Sequence, residues 1–243
     1  MKKALPHNAD VVKSGGWYNL EQLSGNPKEE LVNLIVGGLK EKKSKVQFAA
    51  DEEKLEALVT LLYAHGKGFE ADMVDGDWAL VFSRQGRGSP KFQKLVGTRE
   101  KAGRSMNVFD ISSMTFSGDV KVLKKGLVYS KVKVRVWNSL FSRLHFGFES
   151  LNEYLICFLH EKYSPLSQGY SKTADGKIVL RRIGCDIVDA SFKFWKLPKV
   201  KLPLRKKGGY LDFIYMDKDI RVTRGNRGGL FVHFRPEFLE EQL

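Results

Sequence analysis

From Gly76 onward, residues 138–176 apart, the chain carries short runs in which apolar residues recur at every second position, separated by turn residues. That period belongs to a half-buried β-strand, whose successive side chains point to opposite faces. Val128, Val132, Val134 and Val136 alternate with Lys131, Lys133 and Arg135, so this strand has one apolar and one cationic side. Trp78, Leu80 and Phe82 are expected to share one face of the first run. Val188, Ala190, Phe192 and Phe194 repeat the alternation, as do Ile220 with Val222 and Leu230 with Val232 and Phe234. Ser117-Gly118-Asp119, Lys125-Gly126, Asp217-Lys218-Asp219 and Gly225-Asn226-Arg227-Gly228 supply turn chemistry between runs. An antiparallel meander of roughly eight or more such strands leaves two open edges, and closure into a barrel removes them. The chain is therefore expected to be mainly β, with a barrel over residues 76–243.

Ahead of the strands the period is helical. Asn26 as N-cap, Pro27 at the first helical position and Glu29 three residues after the cap open a helix with Leu31, Leu34, Ile35 and Leu39 on one face. Gly37 and Gly38 weaken its end. A second helix begins at Asp51, carries Leu55, Leu58, Val59 and Leu62 on one side and stops at Gly66. A helical extension thus occupies residues 26–75. Residues 1–25, with Gly15, Gly16 and Gly25 and little periodicity, read as an extended arm whose Trp17, Tyr18 and Leu20 can dock elsewhere. Within the barrel, residues 138–176 lose the strand period. Leu151, Tyr154, Leu155, Phe158 and Leu159 there have helical spacing, so a helical or irregular insertion is expected.

Charge is uneven. Residues 1–75 hold 10 Lys and no Arg against 12 Asp and Glu, a net of −2, so residues 76–243 carry +15 of the chain's total of +13. A basic barrel attracts anionic lipid headgroups, nucleic acid or an acidic protein face. The longest apolar stretches, 31–35 and 154–159, fall far short of the roughly 18 residues a spanning helix needs. The start, Met1-Lys2-Lys3 followed by Pro6, His7, Asn8 and Asp10, lacks the apolar core of a secretory signal. Two cysteines, Cys157 and Cys185, argue against a disulfide scaffold and for core thiols in a reducing compartment.

Catalytic constellations are missing. His7, His65, His145, His160 and His233 are scattered, and no HExxH pattern or Gly-x-Ser-x-Gly elbow occurs. Cys157 and His160 share a helix face, where a buried thiol is the commoner reading. Gly86 and Gly88 among Arg84, Arg87 and Lys91 lack the Gly-Lys-Ser/Thr of a phosphate loop. No enzyme, cofactor or metal is expected.

The segment KLPKVKLPLRKKGG, residues 196–209, has Lys196, Lys199, Lys201, Arg205, Lys206 and Lys207 interleaved with Leu197, Val200, Leu202 and Leu204 and no acidic residue. Such a loop can meet anionic headgroups or an acidic protein, or it can be a solvated strand connection. RGNRGG, residues 224–229, reads as a hairpin turn and not as an RNA-binding tract. Asp212, Asp219, Arg221 and Arg224 are expected to face water in cross-strand ion pairs. Trp78 opens the first strand and Arg235 closes the last, so their side chains are expected to stack where the barrel shuts.

The closing stretch GYLDFIYMDKDIRVTRGNRGGLFVHFR, residues 209–235, resembles the terminal motif of the plastid lipid-associated protein (PAP/fibrillin) family. DGDWALVFS, residues 75–83, resembles its opening strand, and SMNVFDISSMTFSGDVKV, residues 105–122, matches more weakly. The resemblance implies a lipocalin-like antiparallel β-barrel, with Asp212, Asp219, Arg221, Arg224, Gly225, Asn226 and Arg235 as its structural motif. It also implies a non-enzymatic role with carotenoids, quinones, fatty acids or lipids at a plastid thylakoid membrane or plastoglobule. Trp78, Leu80, Phe82, Val132, Val134, Phe192 and Phe194 are the expected lining of a ligand-holding interior. A barrel of about eight strands holds one small ligand or is filled by its own side chains, and both readings stay open. The alternative is a structural or assembly protein that docks its basic barrel on an acidic partner, cytoplasmic or cytoskeletal if Met1 is the native start. Nucleic-acid binding ranks third, because the aromatics follow core periodicity instead of forming a stacking platform.

Overall fold

The computed structural model describes residues 26–86, 101–103, 105–110, 112–113, 115–122, 128–137, 169–194, 198, 200–201 and 206–243. The expected arm over 1–25, the part of the expected insertion over 138–168, and Lys196, Lys199 and Arg205 lie outside them. Helices α1 (Pro27–Glu41), α2 (Glu52–His65) and α3 (Ala71–Val74) precede β1 (Gly76–Arg84), β2 (Ser105–Asp110), β3 (Thr115–Val122) and β4 (Val128–Trp137). Then come β5 (Tyr170–Lys172), β6 (Ile178–Leu180), β7 (Arg182–Phe194), β8 (Val200–Lys201), β9 (Lys206–Met216), β10 (Ile220–Gly225), β11 (Leu230–Phe234) and α4 (Pro236–Gln242).

The strands run β4-β3-β2-β1-β11-β10-β9-β7, all antiparallel, and β4 pairs with β7 to complete a ring of eight. That last pairing extends from Val128 opposite Phe194 to Trp137 opposite Gly184, and the two-residue β8 adds to β7 outside the ring. The fold is mainly β and lipocalin-like. The C-terminal strand closes on the first strand, with β11 pairing β1 from Ala79 opposite Phe234 to Arg84 opposite Leu230.

Both expected helices form, with their caps made. The Asn26 side chain accepts from the Lys28 amide and the Asp51 side chain accepts from the Lys54 amide, each at 3.0 Å. The two glycines do not end α1, which runs on to Glu41. A Cβ on Gly38 would lie 2.1 Å from the Phe48 ring, so a glycine there admits the ring against the helix. Helices α3 and α4 were not legible in the periodicity because both are too short to show one.

Packing divides the described core into two. On the outside of β1, β9, β10 and β11, Leu31, Ile35, Leu39, Leu55, Leu58 and Leu62 of α1 and α2 meet Ala79, Val81, Phe82, Ile214, Ile220, Val222, Leu230, Val232 and Phe234. Each such side chain contributes about 1.5–3 kcal/mol through burial. On the inside, Val74, Trp78, Phe109, Ile183, Phe213 and Met216 form a second cluster. This part of the sheet is covered on both faces, and β1 is accordingly buried without interruption from Trp78 to Ser83.

One expectation fails here. Trp78, Leu80 and Phe82 do not share a face. The β1–β11 register shifts between Leu80 and Phe82, and the extra residue turns Phe82 outward against the helices, edge-on to Phe48 at 5.1 Å. Where the expected helical or irregular insertion ends, the chain forms a hairpin: β5 and β6 pair with each other, apart from the ring. It docks on the helical extension, with the Phe69 amide donating to the Leu180 carbonyl at 2.7 Å and the Ala174 amide to the Ala64 carbonyl at 2.8 Å.

Candidate functional site: the inner face of the barrel

Directly paired residues of an antiparallel sheet share a face. Met216 opposes Arg221, Arg221 opposes His233, and His233 opposes Leu80, so these four form one row across β9, β10, β11 and β1. Trp78 opposes Asn107 in the neighbouring row. Met216 and Trp78 belong to the inner cluster, which puts Arg221, His233 and Asn107 inside the barrel with them.

Arg221 is 1% exposed. Its guanidinium lies 5.0 Å from the Trp78 ring centroid and 4.7 Å from that of Phe109, and its Nη2 donates to Asn107 Oδ1 at 3.0 Å. Among the described residues its Nε and Nη1 are without a hydrogen-bond partner, and so is Nδ1 of His233. Burial pushes the proton affinity of Arg221 well down, and the charge of Arg235 adds to this. Burial, with the charge of Arg221, does the same to His233.

The expectation that Asp212, Asp219, Arg221 and Arg224 face water is therefore corrected. Arg221 points inward because Ile220 and Val222, its neighbours on β10, face the helices. Asp212, 6% exposed, accepts from Arg182 Nε at 2.6 Å and Nη2 at 2.8 Å. That is a cross-strand pair, but its partner is on β7. Arg224 reaches Glu56 on α2 at 3.1 Å, and Arg84 binds the same carboxylate. Asp219 accepts from Lys28 of α1 at 2.7 Å, and Asp217 lies 2.8 Å from the same ammonium. These charges hold the helices to the barrel, because the helices occupy the face that would otherwise be wet.

Burial raises the Glu56 carboxyl, but the hydrogen bonds and charges of Arg84 and Arg224 outweigh it and hold the group below the usual range. Asp217 is likewise lowered: burial acts upward, and Lys28 with the Ile220 and Asp219 amides and Tyr215 acts more strongly downward.

The expected stacking of Arg235 on Trp78 is present, at 3.9 Å. Arg235 donates to the carbonyls of Asp77 at 3.0 Å and Met73 at 2.7 Å, and the Trp78 indole donates to Val74 at 2.8 Å. Gly225 and Asn226 lie in the β10–β11 turn, where the Gly228 amide donates to the Gly225 carbonyl at 2.9 Å and Gly228 takes φ +80°.

Leu80 faces inward opposite His233, whereas Phe82 faces the helices. The backbone of Val132 pairs with Gly118 and Ala190, that of Val134 with Phe116 and Ile187, and those of Phe192 and Phe194 with Ser130 and Val128. The basic segment is not one loop. Lys201 is an exposed residue of β8, and Lys206 and Lys207 begin β9.

Sequence reasoning missed Arg181, Asn107 and His233. Arg181 is 3% exposed and donates to the carbonyls of Tyr63 at 2.6 Å, Gly66 at 2.8 Å and Ile214 at 2.7 Å, closing the C-terminus of α2 onto β9. His233 had a legible signal: it and Arg221 stand six residues either side of Arg227, the centre of the hairpin turn. Burial, and then the charge of Asp186, push the Cys185 thiol up to about 12, which leaves it protonated and a poor nucleophile. Among the described residues no three His, Cys, Asp or Glu gather as metal ligands.

A closed eight-stranded antiparallel ring, clamped by helices outside and holding aromatic and polar side chains inside, defines a lipocalin-like barrel protein. The chain belongs to the PAP/fibrillin family, whose family model PAP_fibrillin matches residues 26–233. That family comprises plastid lipid-associated structural proteins and is generally non-enzymatic. No curated protein and no solved structure matches the chain. Among the described residues no helix is long and apolar enough to cross a membrane.

Proposed function

We propose that the protein binds or organises apolar molecules (lipids, carotenoids or quinones) at a plastid membrane or lipid body, without catalysing a reaction. The observation that carries this reading is the sealed ring itself. A ring of eight strands is wide enough to hold one small ligand or to be filled by its own side chains, and its described inner side chains include the apolar Trp78, Phe109, Ile183, Phe213 and Met216. Membership of a lipid-associated family supports it. In the same reading Lys196, Lys199, Lys201, Arg205, Lys206 and Lys207 meet anionic headgroups, each contributing about 1 kcal/mol near the surface.

The test is uptake. The full chain is incubated with a mixed extract of acyl lipids, carotenoids and quinones, re-isolated by gel filtration, extracted with solvent and quantified by mass spectrometry. About one apolar molecule per chain is expected. A chain that emerges empty after exposure to all three classes overturns the proposal.

A further inference from the structure

The barrel encloses a positive charge that the described fold does not balance. Arg221 is buried, two of its three guanidinium nitrogens are unbonded, and among the described residues no carboxylate reaches it. The other buried or half-buried arginines described meet carbonyls or carboxylates, although Arg224 also leaves its Nε unbonded. Arg181 directs its donors to carbonyls, Arg182 meets Asp212, Arg224 meets Glu56, and Arg235 bonds two carbonyls above Trp78. Two aromatic rings and one Asn107 oxygen offset part of the cost of taking a guanidinium out of water, but an unpaired buried cation still favours an anion beside it. Directly opposite, His233 has its Nδ1 unbonded as well.

We propose that Arg221 and His233 form an anion-recognising subsite inside the barrel, which takes the carboxylate head of an apolar acid such as a long-chain fatty acid. The inference rests on reading the barrel as a holder of apolar molecules, and it names their chemistry. A guanidinium with one hydrogen engaged by Asn107 keeps an edge of two parallel N–H groups, the pattern that two carboxylate oxygens accept. His233, in the tautomer with hydrogen on Nδ1, adds a third donor. A phosphate head brings more charge and more oxygens than these donors satisfy. The acyl chain then extends from that head along the barrel interior. Asn107 fixes the guanidinium from the β2 side and is a positioning residue.

The test uses the full chain and three probes of one chain length: palmitate, methyl palmitate and hexadecanol. Affinities are measured by calorimetry at pH about 8, where the acid is ionised. Palmitate is expected to bind about 10–100-fold more tightly than the ester or the alcohol. In Arg221→Met that preference disappears, and palmitate falls to the affinity of the ester. Equal affinities in the wild type overturn the subsite and leave the apolar-holding reading standing; absence of binding by all three, together with no carotenoid or quinone uptake, overturns both. A preference that survives Arg221→Met also overturns the subsite. Should that variant fail to fold, carboxyl-¹³C-labelled palmitate on the wild-type chain decides. Beside Arg221 its resonance stays at the ionised position while the free acid titrates. A bound resonance that titrates with the free acid overturns the proposal.

Discussion

At the scale of single residues, two buried arginines do opposite things. Arg181 ties the C-terminus of α2 to β9 by donating to the carbonyls of Tyr63, Gly66 and Ile214. Arg181→Met is expected to destabilise by about 2–4 kcal/mol, read from urea unfolding, because it removes the three hydrogen bonds donated to those carbonyls. Arg221→Met, without ligand, is expected to be neutral or stabilising, because an apolar side chain replaces an unpaired buried charge. Loss of stability of similar size in both would refute the distinction. His233 gives a third readout. Burial and Arg221 lower its proton affinity in the fold, so the unfolded chain takes up a proton first as pH falls. The stability conferred by keeping it neutral is complete above its ordinary value of 6.5 and is lost as pH drops below that. Comparing urea midpoints at about pH 7.5 and about pH 5.5 should show a fall in the wild type that His233→Asn reduces.

At the scale of elements, the helices are held by an apolar face and by charged clasps, and the two should differ in weight. Leu58 is fully buried between α2 and the sheet, and Leu58→Ala is expected to cost about 2–5 kcal/mol. Glu56 bridges Arg84 and Arg224, yet its side chain is 43% exposed, so Glu56→Gln is expected to cost under about 1 kcal/mol. Its lowered carboxyl contributes stability that is full above the ordinary carboxylate range and is lost as pH falls through the depressed native value. Thermal unfolding of both variants at neutral pH ranks the two contributions, and equal losses would sink this ranking. The helices themselves were legible, because caps and a 3.6-residue stripe are local signals. The β1 bulge was not. Trp78 to Phe82 is an unbroken apolar run with no period that could mark an extra residue, and only the pairing with β11 shows that one residue is extra.

At the scale of the whole molecule, the ring is covered unevenly. Strands β1, β10 and β11 lie between the helices and the inner cluster, so their amides open only when the outer and inner cores are both disrupted. Hydrogen exchange is expected to be slowest there and to proceed through global unfolding, with the β5–β6 hairpin, which stands apart from the ring, exchanging faster. Uniform protection across β1, β5 and β6 would contradict this picture. Its physical basis is the burial of apolar side chains on both faces of one stretch of sheet.

Local chemistry in the sequence determined the strand runs at 76–82, 128–136, 188–194, 220–222 and 230–234, where two helices begin, the β10–β11 turn at Gly225 to Gly228, and the meeting of Trp78 with Arg235 at the seam. Each depends on residues close in the chain, or on the need of a meander to lose its edges. Tertiary structure alone decided what covers each face. A period of two separates odd from even positions but does not say which set meets water, and where helices lie on the outside of a barrel neither set does. That is why Arg221, Thr223 and His233, polar residues on the adjacent strands β10 and β11, are found inside, and why the question of what the barrel holds turns on them.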